Sequence, residues 1–276
     1  MRSVKFIVAA GAASLMSTAV FAADMPIAPP PAMYAPPPVE DFGGWYLRGD
    51  IGMSNQQVKR LENSLAFPNQ ANGLGFDSAG IYGVGLGYQF NNWFRADVTG
   101  QYRGRANFHG SSSVQYGPGD DGANNYSGSK SELLFMANAY VDLGTWWCVT
   151  PFIGAGIGAS YNRISGFRDD GVRSNNGAFS SSVTYFEDHG QWNMAWAAHA
   201  GLSYKVNPSL TLELAYSYVD LGSGRPGNFR AYDNSAAGAS SIVLKDITSH
   251  DLKLGVRWNL DTPPPAAYAP PLMRKG

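Results

Sequence analysis

The chain contains little cysteine, little charge and few long apolar runs. Its 276 residues include one cysteine, Cys148, so an internal disulfide framework is excluded. Charged residues make up 15%, below the roughly one quarter typical of soluble domains. The formal net charge of -1 gives no electrostatic reason to expect nucleic acid as a partner. After the N-terminal region, no segment approaches the run of about 18 apolar residues that indicates a transmembrane helix.

The N-terminus has the pattern of an export signal. Arg2 and Lys5 precede an apolar segment from Phe6 to Val20, which is too short to span a bilayer stably. Small residues around Ala22 then favour cleavage before Ala23. We therefore predict that residues 1–22 are a signal peptide and that the mature protein leaves the cytoplasm.

Proline is concentrated in two segments that bracket the rest of the chain. Met25–Val39 and Thr262–Pro271 hold 12 of the 17 prolines. Proline-rich stretches of this kind are extended and semi-rigid. We expect residues 23–42 and 261–276 to form Pro-rich periplasmic tails on either side of one folded domain, residues 43–260.

Within that domain, apolar and polar residues alternate with a period of two, and no window has a convincing helical period. Eight segments show the alternation, and each is about long enough to cross a bilayer at a tilt. The eight predicted strands are Trp45–Ser54, Ile81–Phe90, Trp93–Arg105, Glu132–Leu143, Pro151–Asn162, Asn193–Val206, Leu210–Leu221 and Asp251–Leu260.

The connections between these strands alternate between long and short. Long polar connections rich in Gly, Ser and Asn occupy residues 55–78, 106–130, 163–191 and 222–248, whereas the three intervening connections are tight. A soluble sandwich would mix loop lengths at both ends, but an outer-membrane barrel has short periplasmic turns and long extracellular loops. We predict an all-β protein, an eight-stranded antiparallel up-and-down transmembrane β-barrel with that arrangement.

Aromatic residues on the uncharged strand face are sorted towards the two strand ends. This sorting is typical of the interfacial girdles of membrane barrels, so the uncharged face should meet outer-membrane lipid and lipopolysaccharide. The predicted girdle at the short-turn end is Trp45, Phe90, Phe94, Tyr204 and Trp258. The predicted girdle at the long-loop end is Tyr82, Tyr102, Phe135, Tyr161, Trp196 and Tyr218.

The opposite strand face carries equal numbers of basic and acidic residues. An eight-stranded barrel is just wide enough for side chains to fill it, so these charges should pair in a closed lumen. Lys205 and Glu213 flank the turn at Pro208 and are the pair expected most directly. The predicted lumen network is Arg48, Asp50, Arg95, Asp97, Arg103, Glu132, Asp142, Lys205, Glu213, Asp251, Lys253 and Arg257.

Three segments resemble the small outer-membrane barrel proteins of alphaproteobacteria, a porin-like family similar in build to the OmpA and OmpX barrels. They are Gly44–Gly52, Thr150–Gly158 and His250–Trp258. The resemblance covers roughly residues 43–260 and implies the barrel fold and the outer membrane of a Gram-negative bacterium. Members of this family usually end at the last strand, whereas this chain continues with a tail after Leu260.

These features predict a structural role in envelope integrity with surface-exposed loops. A narrow channel for small solutes and a loop-mediated adhesin or hemin-binding protein are the alternatives. Peptidoglycan or a host surface could be reached through tails or loops. The loop residues that could ligate haem are His109, Tyr116, Tyr126, Tyr185, His189 and Tyr232.

We predict no catalytic, cofactor-binding or metal site. Ser249, His250 and Asp251 are consecutive, but neighbours on a strand point to opposite faces and cannot form a catalytic constellation.

Overall fold

A computed structural model of the chain describes residues 43–63 and 69–261. The predicted signal peptide and both Pro-rich tails fall almost entirely outside this part. The strands are β1 Gly44–Asn63, β2 Asn69–Phe76, β3 Ala79–Gln89, β4 Phe94–Gly117, β5 Asp120–Asp142, β6 Val149–Asn175, β7 Ala178–Phe186, β8 His189–Lys205, β9 Leu210–Asp220, β10 Phe229–Ala231, β11 Ala237–Gly238 and β12 Ile242–Asn259. Among the described residues, no helix is long and apolar enough to cross a bilayer.

Eight of these strands form a closed antiparallel ring. In order around the ring they are β1, β3, β4, β5, β6, β8, β9 and β12. The first and last strands close it, with Leu47 opposite Trp258 and Met53 opposite Leu252. Closure pairs both edges of every ring strand, as a barrel in lipid requires. The predicted eight-stranded up-and-down barrel is confirmed.

The three tight connections lie together at one end of the ring. In the turn before β6, the Trp146–Val149 bridge encloses Trp147 and Cys148, both with left-handed φ angles of 50° and 67°. The side chain of Trp147 is 97% exposed, and Cys148 is exposed as well. This end of the barrel therefore presents aromatic side chains outside the ring.

The predicted long loops are largely strand, which corrects the sequence-based boundaries. β4, β5 and β6 have 24, 23 and 27 residues, about twice what a tilted strand needs to cross a bilayer. β4 and β5 turn at Pro118-Gly119, and β6 and β7 turn at Asn176-Gly177. The residues 55–63, 69–78, 106–130, 163–190 and 222–248 form an extension of the barrel beyond the membrane, here called the extracellular extension.

The outward face of the ring is apolar, with Ile51, Val84, Ile157 and Leu254 among its exposed side chains. By strand alternation, every aromatic residue predicted for the two girdles points outward. Trp192, which lies just before the predicted strand Asn193–Val206, belongs with the girdle at the long-loop end because its ring lies 5.1 Å from that of Tyr161.

The interior has two layers. The layer towards the short turns contains buried charges, and the layer inside the extracellular extension is an apolar core. The residues of that core include Val58, Leu61, Phe76, Phe108, Tyr126, Ile164, Phe167, Leu221, Ile242, Leu244 and Ile247.

Candidate functional site: a filled interior beneath an exposed extension

Arg48 is the centre of the lower part of the charged layer. It projects inward from β1, and its Nη2 lies 2.9 Å from Asp50 Oδ1 while its Nη1 lies 2.8 Å from Asp97 Oδ2. Arg48 Nη1 also donates to the Tyr140 hydroxyl at 3.0 Å. A guanidinium can satisfy several acceptors at once because its donors lie in a fixed planar fork. Arg48 thereby ties β1 to β4 and β5 across the lumen.

Glu213 on β9 is shared by three arginines. Its carboxylate oxygens lie 3.2 Å from Arg95, 3.5 Å from Arg48 and 3.7 Å from Arg257. Arg95 also contacts Asp142 at 3.3 Å, and its side chain has no exposed surface. Buried charges are tolerated when they are paired in this way.

Aromatic rings fill the space around these guanidinium groups. The Arg95 guanidinium carbon lies 4.4 Å from the Tyr140 ring centre and 4.7 Å from that of Phe152. The Arg257 guanidinium lies 5.3 Å from the Tyr46 ring centre. Cation–π contacts of this length are attractive and leave little room for a water column.

A second charged cluster lies further up the lumen. Arg103 donates to both oxygens of Asp251, at 3.1 and 2.6 Å, and its Nε lies 3.0 Å from Glu132 Oε1. Glu132 also pairs with Lys130, whose Nζ donates to Gln56 at 3.0 Å. All of these charged side chains are fully buried. Lys253 is buried on β12, between Asp251 and Arg257 along the strand.

The predicted Lys205–Glu213 pair is wrong. The β8–β9 turn places Lys205 opposite Thr211 and Glu213 opposite Ser203, so the lysine is exposed at the mouth of the barrel.

Lys130 is a buried lumen charge that the sequence-based prediction missed, because it lies in a Gly- and Ser-rich segment assigned to a loop. With Lys130 in place of Lys205, the described residues contain six buried basic and six buried acidic side chains.

His199 lies at the centre of a neutral hydrogen-bonded chain in the lumen. Its Nε2 is 3.1 Å from Asn138 Oδ1, and its Nδ1 is 2.7 Å from Ser217 Oγ. Asn138 Oδ1 can only accept, so Nε2 carries the proton and Ser217 donates to Nδ1. Ser217 has no exposed surface, so this serine–histidine pair is not accessible to a substrate.

The consecutive Ser249-His250-Asp251 segment is split between the two faces of β12. Ser249 donates to Asp251 in the interior at 2.5 Å. His250 points outward and lies 2.6 Å from the Tyr216 hydroxyl. The three side chains therefore do not converge.

The apolar layer closes the interior above the charges. The Phe108 and Phe167 rings stack at 5.8 Å, and Tyr126 stacks on Phe167 at 6.0 Å. Phe76 contacts Phe108 at 5.2 Å. These rings come from β2, β4, β5 and β6, so four strands of the extracellular extension pack around a shared apolar core.

The outside of the extracellular extension is polar with a few exposed aromatics. Phe179 on β7 is 79% exposed, and Tyr232, directly after β10, is 74% exposed. Two of the candidate haem ligands point to opposite sides of the extension, since Tyr126 is buried and bonded to Ser112 while His109 points outward.

Asp120 and Asp169 are carboxyl groups of the extracellular extension whose pKa values are shifted in opposite directions. The Arg173 guanidinium, which donates to Asp120, lowers the pKa of that carboxyl. Burial, assisted by the neighbouring charge of Asp170, raises the pKa of Asp169 to about 6. Asp169 Oδ1 has no hydrogen-bond partner among the described residues. Asp169 is therefore a site of pH sensitivity in the extracellular extension.

The sequence is similar to known outer-membrane proteins. A family model described as "Outer membrane protein beta-barrel domain" matches residues 8–259. An uncharacterised protein of Brucella abortus is 30% identical, over 87% of this chain and 93% of its own length. A Rickettsia bellii protein named "Putative adhesin" is 28% identical, over 78% of this chain and 88% of its own length.

Among solved structures, Neisserial surface protein A is similar with a TM-score of 0.40 and 20% identity, over 78% of this chain and 96% of that one. The closed ring, the apolar outer face and the family match agree on the location, the outer membrane of a Gram-negative bacterium. The chain belongs to the outer-membrane protein β-barrel domain family.

Proposed function

We propose that the protein binds another cell surface through its extracellular extension, and that the barrel is a closed anchor for it. The observation that carries the proposal is the apolar core beneath the exposed residues of the extracellular extension. A surface fixed by a core loses little conformational entropy when it binds a partner. The Rickettsia relative named "Putative adhesin" supports the same function.

Phe179 and Tyr232 are the strongest candidates for contact residues. β7 pairs with β10, and the backbone N–H of Tyr232 donates to the Val183 carbonyl, so both aromatics belong to one sheet. Aromatic residues often dominate the binding energy at protein interfaces, so these two exposed side chains are the first to test as contact residues.

The test uses Gram-negative cells that display the full-length chain and measures their attachment to cultured host cells. We expect Phe179→Ser with Tyr232→Ser to reduce attachment to that of cells lacking the protein. Trp147→Ser is the matched control, because it removes an exposed aromatic at the periplasmic end. Wild-type cells that attach no better than cells lacking the protein, a double variant that attaches as well as wild type, or an equal loss in the control would refute the proposal.

A structural role in the envelope is the second candidate, favoured by the filled interior. It predicts that deletion of the gene sensitises cells to detergents and that the Phe179→Ser, Tyr232→Ser variant restores resistance. Resistance that depends on those aromatics would instead link the phenotype to surface binding. Under either function, we expect the aromatic girdle at the long-loop end to contact lipopolysaccharide.

A further inference from the structure

A polar cavity opens at the short-turn end of the barrel. Its volume is about 330 Å³, and an adjoining recess of about 120 Å³ shares four of its lining residues. Given about 30 Å³ for each water in the liquid, the larger cavity has room for roughly ten waters. We call the two together the periplasmic vestibule. Asp142 and Arg257 line the larger cavity, and they contact Arg95 and Glu213 of the charged layer, which fills the lumen beyond it.

Arg257 lines the vestibule with unused hydrogen-bond donors. The residue is 7% exposed, and its Nε and Nη1 have no hydrogen-bond partner among the described residues. Its nearest carboxylate, Glu213, is 3.7 Å away and is already contacted by Arg95 and Arg48. Buried donors without acceptors are costly, and charged ones most of all. Nε and Nη1 have almost no accessible surface, so an acceptor that enters the cavity reaches them once the Arg257 side chain shifts towards it.

Lys205 supplies a second positive charge at the same cavity. It is exposed at the end of β8 and makes no ion pair with any described residue. Thr211 and Thr150 place hydroxyl groups along the same wall. Two acidic residues line the periplasmic vestibule, and both have partners. Asp142 is engaged by Arg95 at 3.3 Å, and Asp261 accepts a hydrogen bond from the backbone N–H of Trp45 at 2.9 Å.

We propose that the periplasmic vestibule binds a small oxyanion, with Arg257 and Lys205 as its charged ligands. An arginine fork fits the paired oxygens of a carboxylate or a phosphate group, and lysine adds a point charge. The cavity is larger than one such group, so it has room for an oxyanion with its water or with the rest of a small solute. This site is independent of the surface-binding function proposed above, because it lies at the opposite end of the barrel.

The test is calorimetric titration of the full-length chain, folded in detergent, with inorganic phosphate and separately with succinate at constant ionic strength. We expect saturable binding of at least one of the two, and the preferred probe identifies the source of the oxyanion. Lys205→Gln should weaken binding at least tenfold. Lys59→Gln, on the extracellular extension, should leave it unchanged.

Arg257→Lys provides a second variant that keeps the charge and removes the fork. It should also weaken binding, and the gel shift between unboiled and boiled samples verifies that each variant is folded. No saturable heat with either probe would overturn the proposal, because the vestibule would then hold water alone. Binding that is unchanged in both Lys205→Gln and Arg257→Lys would overturn it as well.

Discussion

Arg103 on β4 and Asp251 on β12 form a two-pronged ion pair inside the barrel, with N–O distances of 3.1 and 2.6 Å. Neither side chain has exposed surface. The pair connects strands that are not neighbours in the ring, so it acts as a cross-brace through the interior.

Replacement of Asp251 by alanine should therefore destabilise the barrel strongly. Removing one partner of a buried ion pair typically costs about 3–5 kcal/mol, because the other charge stays buried and unpaired. Asp188→Ala is the control, since its partner Arg163 lies 3.1 Å away in an exposed pair, which should contribute at most about 1 kcal/mol. Urea unfolding in detergent would measure both, and equal losses would contradict the prediction.

Replacement of Glu213 and replacement of Lys205 should change the free energy of unfolding by different amounts in the same urea assay. Glu213→Ala leaves Arg95 and Arg257 without a shared acceptor, and we expect a loss of a few kcal/mol, on the order of 3. Lys205→Ala removes an exposed side chain and should change the unfolding free energy by at most about 0.5 kcal/mol. A large loss of stability in Lys205→Ala would contradict this prediction and show that Lys205 pairs with Glu213 after all.

Gly87 should not tolerate a side chain. It lies opposite Tyr46 in the β1–β3 register, and a Cβ there would overlap the Tyr46 ring. Gly87→Ala should then cost about 1–3 kcal/mol through overpacking. Gly117→Ala is the matched control because a Cβ there meets open space. The two free energies of unfolding should differ clearly, and similar values would show that Tyr46 can move aside.

The sequence was sufficient for the ring and for most of the charges that fill it. Period-two alternation predicts which side of each strand faces lipid, and eleven of the twelve predicted lumen charges are buried. Lys205 is the exception, because a single-sequence pattern does not reveal that the turn sets residue 205 opposite residue 211 rather than 213.

The extracellular extension was less predictable because Gly, Ser and Asn are common in both loops and water-exposed strands. A signal was present in Asn176-Gly177, a dipeptide that favours tight hairpins. Its φ values of 47° and 85° agree with such a turn. The other signal of a strand is a period-two alternation on the inward face, at Phe108, Gly110, Ser112 and Val114. Two of these four residues are small, which weakens the hydrophobic pattern.

The stability of the extracellular extension should depend on pH through Asp169. The pKa of this carboxyl is raised to about 6 by burial, so the folded state binds its proton more tightly than the unfolded state. Its stabilising contribution is complete below its ordinary pKa and is lost as the pH rises through about 6. Amide hydrogen exchange in β6, corrected for intrinsic rates, should therefore be faster at pH 8 than at pH 5.

Asp169→Asn should remove this pH dependence, because an amide does not titrate and needs no deprotonation at neutral pH. Asp121→Asn, at an exposed position in the same extension, should retain it. A wild-type extension with equal protection at the two pH values would contradict the assignment to Asp169.

The barrel should not conduct ions at a steady level in planar bilayers. Eight strands give an interior that side chains can fill, and here two different layers fill it. Arg95, packed between Tyr140 and Phe152, closes the lower layer, while the stacked rings of Phe108 and Phe167 close the upper one. Because the layers are separate, the barrel of the Arg95→Ala variant should remain closed. Conductance should appear only in the triple variant that also carries Phe108→Ala and Phe167→Ala. Steady wild-type conductance comparable to that of a large porin would show that the interior opens in a membrane, and the narrow-channel function would then replace the closed anchor.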